Sequence, residues 1–70
     1  MKELSDKEIE LVAIGAAIGS NCIPCIEHHI PKAIETGLTR KQIKSALKIA
    51  KKVKQVPAEK VEKTANQQLK

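Results

Sequence analysis

The chain contains no phenylalanine, tyrosine or tryptophan. That removes the aromatic platforms on which nucleic-acid bases stack. It also restricts the core to Ile, Leu, Val and Ala. Cysteine is nearly as scarce: two in 70 residues, Cys22 and Cys25, three positions apart. A bridge between them closes a tiny loop and restrains little of the unfolded chain, which excludes a disulfide-stapled scaffold. No apolar run is long enough to span a bilayer, and no basic start leads into an apolar stretch with a cleavage site. The sequence is therefore expected to be soluble and cytoplasmic, without a membrane partner. In that reducing compartment a close cysteine pair is more often catalytic or metal-binding than structural.

A chain of 70 residues makes one domain at most. Chains this short bury only about 60% of the surface exposed on unfolding and are marginal alone. Packing against a second copy of itself is the expected support. The formal net charge is +5, compatible with acidic partners but not diagnostic of one.

The pattern is helical throughout, without strand-like alternation or repeats. Ser5-Asp6-Lys7-Glu8 has the form of a capping box. The helix it opens carries Ile9, Val12, Ala13, Ala16 and Ala17 on one face, with Leu11, Ile14 and Ile18 elsewhere. An element apolar nearly all round is expected to be buried. It should end near Gly19-Ser20-Asn21, with Asn21 capping a second helix that begins at Cys22. Pro24 falls in the first turn, where its missing N–H does no harm. Ile23, Ile26, Ile30, Ala33 and Ile34 make the stripe of this helix, Pro31 should kink it, and Gly37 should stop it. Thr39-Arg40-Lys41-Gln42 is a second capping box, followed by Ile43, Ala46, Leu47, Ala50 and Val53. Pro57 is expected to break the chain. The division is thus a helical core over residues 1–56 and a polar C-terminal tail over 57–70, in which Val61, Ala65 and Leu69 allow a weakly amphipathic helix.

Chemistry concentrates between Cys22 and His29. Cys22 and Cys25 are spaced to share a helix face, and His29 lies on that face one turn beyond Cys25. A base then stands beside a thiol, the arrangement that produces a reactive thiolate. Cys22 is expected at the first helical position. Helix N-termini in Cys-X-X-Cys motifs lower a thiol from its ordinary ~8.5 to roughly 3.5–7.5. Such a pair passes two electrons in and out as dithiol and disulfide. Haem attachment is excluded because Ile26, not histidine, follows Cys25. A tetrahedral zinc site needs four ligands. Cys22, Cys25, His29 and Glu10 are the one convergent set, without a second Cys or His pair, so no metal or other cofactor is expected. His28 points about 100° from His29 and reads as a surface residue. Lys41, Lys44, Lys48, Lys51 and Lys52 read as a solvated basic face rather than a nucleic-acid surface.

The four residues stand as Glu10, eleven residues, Cys22-X-X-Cys25, three residues, His29. With the segment Ala33-Ile-Glu-Thr-Gly-Leu-Thr39 that follows, this pattern resembles the alkylhydroperoxidase AhpD-like branch of the carboxymuconolactone decarboxylase family over about Leu4 to Val53. The resemblance implies a small all-α, antiparallel AhpD-like bundle completed by homo-oligomerisation, with sites near subunit contacts. It implies that Cys25 attacks the oxidant, His29 activates it, Cys22 closes the disulfide, and Glu10 orients the histidine and relays its proton. The implied activity is thiol–disulfide oxidoreduction, acting on disulfides and hydroperoxides with electrons from a thiol or dithiol donor. The alternative is a metal-binding or redox-sensing helical module without turnover. Pro24 departs from the family, whose redox sites often carry a polar residue there. Proline cannot relay a proton, which favours disulfide over peroxide reduction.

Overall fold

In a computed structural model, which describes residues 3–70, the chain forms three helices: α1 (Asp6–Gly19), α2 (Ile23–Glu35) and α3 (Arg40–Gln68). No strand occurs among the described residues. Both predicted capping boxes form. Ser5 Oγ accepts from the Glu8 N–H at 3.1 Å while the Glu8 carboxylate accepts from the Ser5 N–H at 2.8 Å. Thr39 and Gln42 repeat the exchange at 3.1 and 2.8 Å. Each box satisfies N–H groups that a helix start leaves without partners.

Helices α1 and α2 end in the same way, and this repetition builds the molecule's corners. At the end of α2, the Leu38 N–H donates to the Ala33 carbonyl at 3.3 Å and the Gly37 N–H to that of Ile34 at 3.0 Å. Gly37 sits at φ 98°. This is a Schellman closure, with glycine where the left-handed backbone is needed. It carries Leu38 back onto Ala33, and both are buried in the core. At the end of α1, the Cys22 N–H donates to the Ala17 carbonyl at 3.0 Å and the Asn21 N–H to that of Ile18 at 3.3 Å. Here the left-handed residue is Asn21, at φ 56°. Asn21 therefore finishes α1 instead of capping α2, correcting the expected assignment. The N-cap of α2 is Cys22, one position earlier than its expected place. Asparagine tolerates the left-handed region better than other side-chain-bearing residues, and here that preference outweighs its capping tendency.

Ile14, Ala33, Leu38 and Ile43 form the core, with Leu11, Ile30 and Leu47 packed around it. One residue per helix and one corner thus meet at a point. The buried face of α1 is Glu10, Ile14 and Ala17, rotated from the expected one; Val12 is 63% exposed. An apolar helix has no single moment to orient it, so the partners on α2 and α3 decide its rotation. The stripe expected on α2 is buried only at Ala33; Ile23 lies 71% exposed.

Helix α3 runs unbroken through Pro57, where a break was expected. An internal proline removes one backbone hydrogen bond and crowds the preceding turn. The strong helix formers around it, among them Ala58, Glu59, Lys60 and Lys63, hold both sides helical. Likewise α2 continues through Pro31. At ~1.5 Å per residue, the 29 residues of α3 give most of the molecule's 52 Å length. Its residues from Lys51 onward are all exposed. No helix among the described residues is long and apolar enough to cross a membrane.

Candidate functional site

The corner between α1 and α2 delivers the first cysteine. Cys22 closes α1 through its N–H and opens α2 through its sulfur, which accepts from the Cys25 N–H at 3.3 Å. Its carbonyl accepts from the Ile26 N–H at 3.1 Å, starting the ladder of α2. Three backbone or side-chain bonds therefore locate one residue. Cys25 follows on the first turn, and the two sulfurs are joined in a disulfide with the Cα atoms 5.2 Å apart. Both cysteines are half-buried. The pair sits at the positive end of the α2 dipole, where the Cys25 N–H already points at Cys22 Sγ, a setting that favours sulfur as thiolate once the bond opens.

Glu10 supplies the other half. It is the buried charged residue among the described residues, 4% exposed, and lies on the inner face of α1 between α1 and α2. Glutamate is almost never buried unpaired. Its two oxygens lie 3.1 and 3.2 Å from His29 Nδ1. An ionised carboxylate only accepts, so it draws the donor from Nδ1; in the neutral ring Nε2 is then the nitrogen with the lone pair. The His29 side chain is 28% exposed, half inside and half open to solvent. Glu10 also lines a solvent-open groove of about 340 Å³ with Asp6, Lys32, Glu35 and Thr36.

The four residues expected at the site fall into two adjoining pairs. Cys22 and Cys25 are covalently joined, Glu10 and His29 are hydrogen-bonded, and one turn of α2 separates Cys25 from His29. His28 is exposed, with its ring edge-on to that of His29 at 4.8 Å between centroids. Among the described residues no group of three or more Cys, His, Asp and Glu side chains is arranged to hold a metal ion.

One contributor gave no sequence signal. Lys54 of α3 donates from Nζ to the Ile18 carbonyl at 3.1 Å and to Asn21 Oδ1. It ties the far helix to the corner that carries Cys22. Helix α1 has no basic residue in its own last turn, so this ammonium meets the negative end of its dipole from outside. In the sequence Lys54 is one lysine among many.

The family model for carboxymuconolactone decarboxylases matches residues 2–64, which takes in α1, α2, all but the last four residues of α3 and the whole of this site. The chain belongs to the carboxymuconolactone decarboxylase family. No curated protein and no solved structure matches it significantly. The carboxymuconolactone decarboxylase family includes enzymes, both decarboxylases and AhpD-like peroxidases.

Proposed function

We propose that this family member is a thiol–disulfide oxidoreductase of the AhpD-like branch, cycling Cys22 and Cys25 between dithiol and disulfide. The observation that carries the reading is the buried Glu10 carboxylate bonded to His29 Nδ1, one turn from a cysteine pair at a helix start. Burial of a carboxylate is costly, and this one holds an imidazole one helical turn along α2 from Cys25.

In the reduced state His29 Nε2 takes the proton of the Cys25 thiol. The Cys25 thiolate attacks one sulfur of a substrate disulfide, and the other leaves as thiolate, protonated by the imidazolium. Cys22, as thiolate, then attacks Cys25 Sγ, displacing the second substrate thiolate and closing the Cys22–Cys25 bond. Two electrons pass to the substrate, which leaves as two thiols. A thiol or dithiol donor runs the same exchange backwards. With a hydroperoxide, Cys25 attacks the terminal oxygen, the alcohol leaves with the proton from His29, and Cys22 displaces water from the sulfenic acid. Pro24 cannot relay a proton between the thiols, which makes disulfides the preferred substrates. The cycle belongs to the cytoplasm, whose thiol pool keeps the pair supplied with electrons.

The oligomeric partner is a second copy docked along α3. Ile49, Val53 and Val56 are 65%, 66% and 50% exposed and recur at coiled-coil spacing. Ile49 and Val53 border an apolar groove of about 810 Å³ shared with Leu11, Val12 and Gly15 of α1. Residues 40–56 carry only positive charges, while Glu59 and Glu62 lie beyond. Antiparallel pairing about Val53 and Val56 brings those glutamates of one copy level with Lys48 and Lys51 of the other.

The test is turnover of a disulfide and of a hydroperoxide by one preparation, with dithiothreitol as donor. Activity lost in Cys25→Ser and Cys22→Ser is the expected result. Equal, slow rates in wild type and both variants overturn the proposal, as does one tightly held zinc ion per chain.

A further inference from the structure

The surroundings of Cys22 hold an electrostatic asymmetry. A groove of about 340 Å³ opens on Cys22, walled by Ile18, Ile23 and Ile26. Two charged side chains line it: Glu27, from the turn of α2 above, and Lys54, from α3. Lys54 is held there by the Ile18 carbonyl and Asn21 Oδ1, and Asn21 immediately precedes Cys22. The acceptors are the last turn of α1 and the left-handed residue that closes it. The ammonium thus grips the backbone whose next N–H and sulfur position the cysteine.

We propose that Lys54 is a positioning residue that sets the redox balance of the Cys22–Cys25 pair, opposed by Glu27. It holds the corner that carries Cys22, and it places a positive charge in the groove where negative charge appears when the disulfide opens. The inference rests on the oxidoreductase reading for its purpose, but its measurement does not need turnover.

With glutathione as reductant, two thiols reduce the Cys22–Cys25 bond and leave as glutathione disulfide. Two electrons enter the pair and two protons are taken up, less the fraction in which Cys22 stays as thiolate. A neighbouring cation favours that thiolate and therefore the reduced form; a neighbouring carboxylate disfavours it. Both groups are solvent-exposed, so each effect is small. Removing the Lys54 charge is expected to lower the equilibrium constant for reduction by about threefold at pH 8. At ~29.6 mV per tenfold, this is about 14 mV.

The experiment equilibrates the full chain with graded glutathione redox buffers and quantifies free thiols by alkylation. It uses wild type, Lys54→Met, Lys54→Arg and Glu27→Gln, each at low and high salt. In parallel, thiolate absorbance is titrated on a Cys25→Ser background, where Cys22 is the lone thiol. Lys54→Met should shift the equilibrium toward disulfide and move the Cys22 titration upward. Lys54→Arg should restore most of the wild-type balance, Glu27→Gln should shift it toward dithiol, and high salt should shrink all differences. A merely structural lysine would change thermal stability while leaving balance and titration unmoved; that result overturns the proposal. So does a Lys54→Arg variant that behaves like Lys54→Met. If wild type lacks reductase activity but the expected shifts appear, the oxidoreductase reading fails and the assignment of Lys54 stands.

Discussion

Replacing Glu10 by glutamine tests whether the buried carboxylate serves the chemistry or only the fold. The substitution preserves shape and removes charge. An ionised glutamate only accepts, so it fixes the proton of His29 on Nδ1 and leaves Nε2 as base. A glutamine can accept or donate, so both tautomers of the ring become available. A positioned general base contributes about 10²–10⁴-fold to a rate. Losing its orientation while keeping the ring should remove part of that, about 10- to 100-fold in kcat. KM should change little, because Glu10 lies beneath the imidazole, 4% exposed, and out of reach of a substrate.

Stability separates the two explanations. A buried carboxylate bonded to a part-exposed histidine contributes little net free energy, since desolvation offsets the attraction. Glu10→Gln, which keeps an acceptor for His29 Nδ1, should change unfolding free energy by no more than about 1 kcal/mol, whereas Glu10→Leu leaves Nδ1 without one and should cost about 1–3 kcal/mol. The assay pairs steady-state disulfide reduction with urea unfolding of the same three proteins. Wild-type kcat in Glu10→Gln and Glu10→Leu, alongside an inactive His29→Ala, would show that the carboxylate orients nothing and refute the reasoning.

Four further outcomes follow from particular contacts. Reducing the Cys22–Cys25 bridge, which spans three positions, should lower stability by at most about 2 kcal/mol, read as a modest fall in Tm. Ile14, 0% exposed at the centre of the core, should lose about 3 kcal/mol on Ile14→Ala and about 1 on Ile14→Val, measured by urea unfolding. The Ser5 N–H and Oγ hold the Glu8 carboxyl below its ordinary value of 4.5. A depressed acid stabilises the fold above its unfolded pKa and loses that contribution as pH falls through the folded value. The acid limb of stability below about pH 4.5 should therefore flatten in Ser5→Ala. Finally, sedimentation should show a self-associated wild type that weakens in Val53→Glu, whereas an unchanged stable monomer in both would remove the α3 pairing.

The capping boxes were readable because their signal is local: a hydroxyl and an amide or carboxylate three residues apart satisfy each other in any context. The corners were half-readable. Gly37 announced a helix stop, while Asn21 carries two competing tendencies, capping and left-handed closure, and only the bonds from Cys22 to Ala17 and Asn21 to Ile18 decide between them. The rotation of α1 was not readable, since an apolar helix lacks a periodic moment and its buried face depends on α2 and α3. Pro57 misled for the opposite reason. A strong local signal was overridden by the helix formers on either side of it.

The composition of the site follows the same division between local and distant information. Cys22, Cys25 and His29 share one helix, so their spacing alone places them together. Glu10 joins them across a helix pair, and its bond to His29 spans nineteen positions. Lys54 joins across thirty-three, to Asn21, and no spacing rule reaches that far. The residues proposed to carry the thiol chemistry are thus local, and those proposed to tune it arrive from other helices. In so small a chain this arrangement couples tuning to folding. The imidazole acquires its carboxylate only when α1 packs on α2, and the corner bearing Cys22 acquires its ammonium only when α3 packs on α1. An isolated α2 peptide would still form a disulfide, but without a fixed tautomer at His29 and without a cation beside Cys22. Reactivity of the pair should therefore fall with the cooperative loss of helix packing.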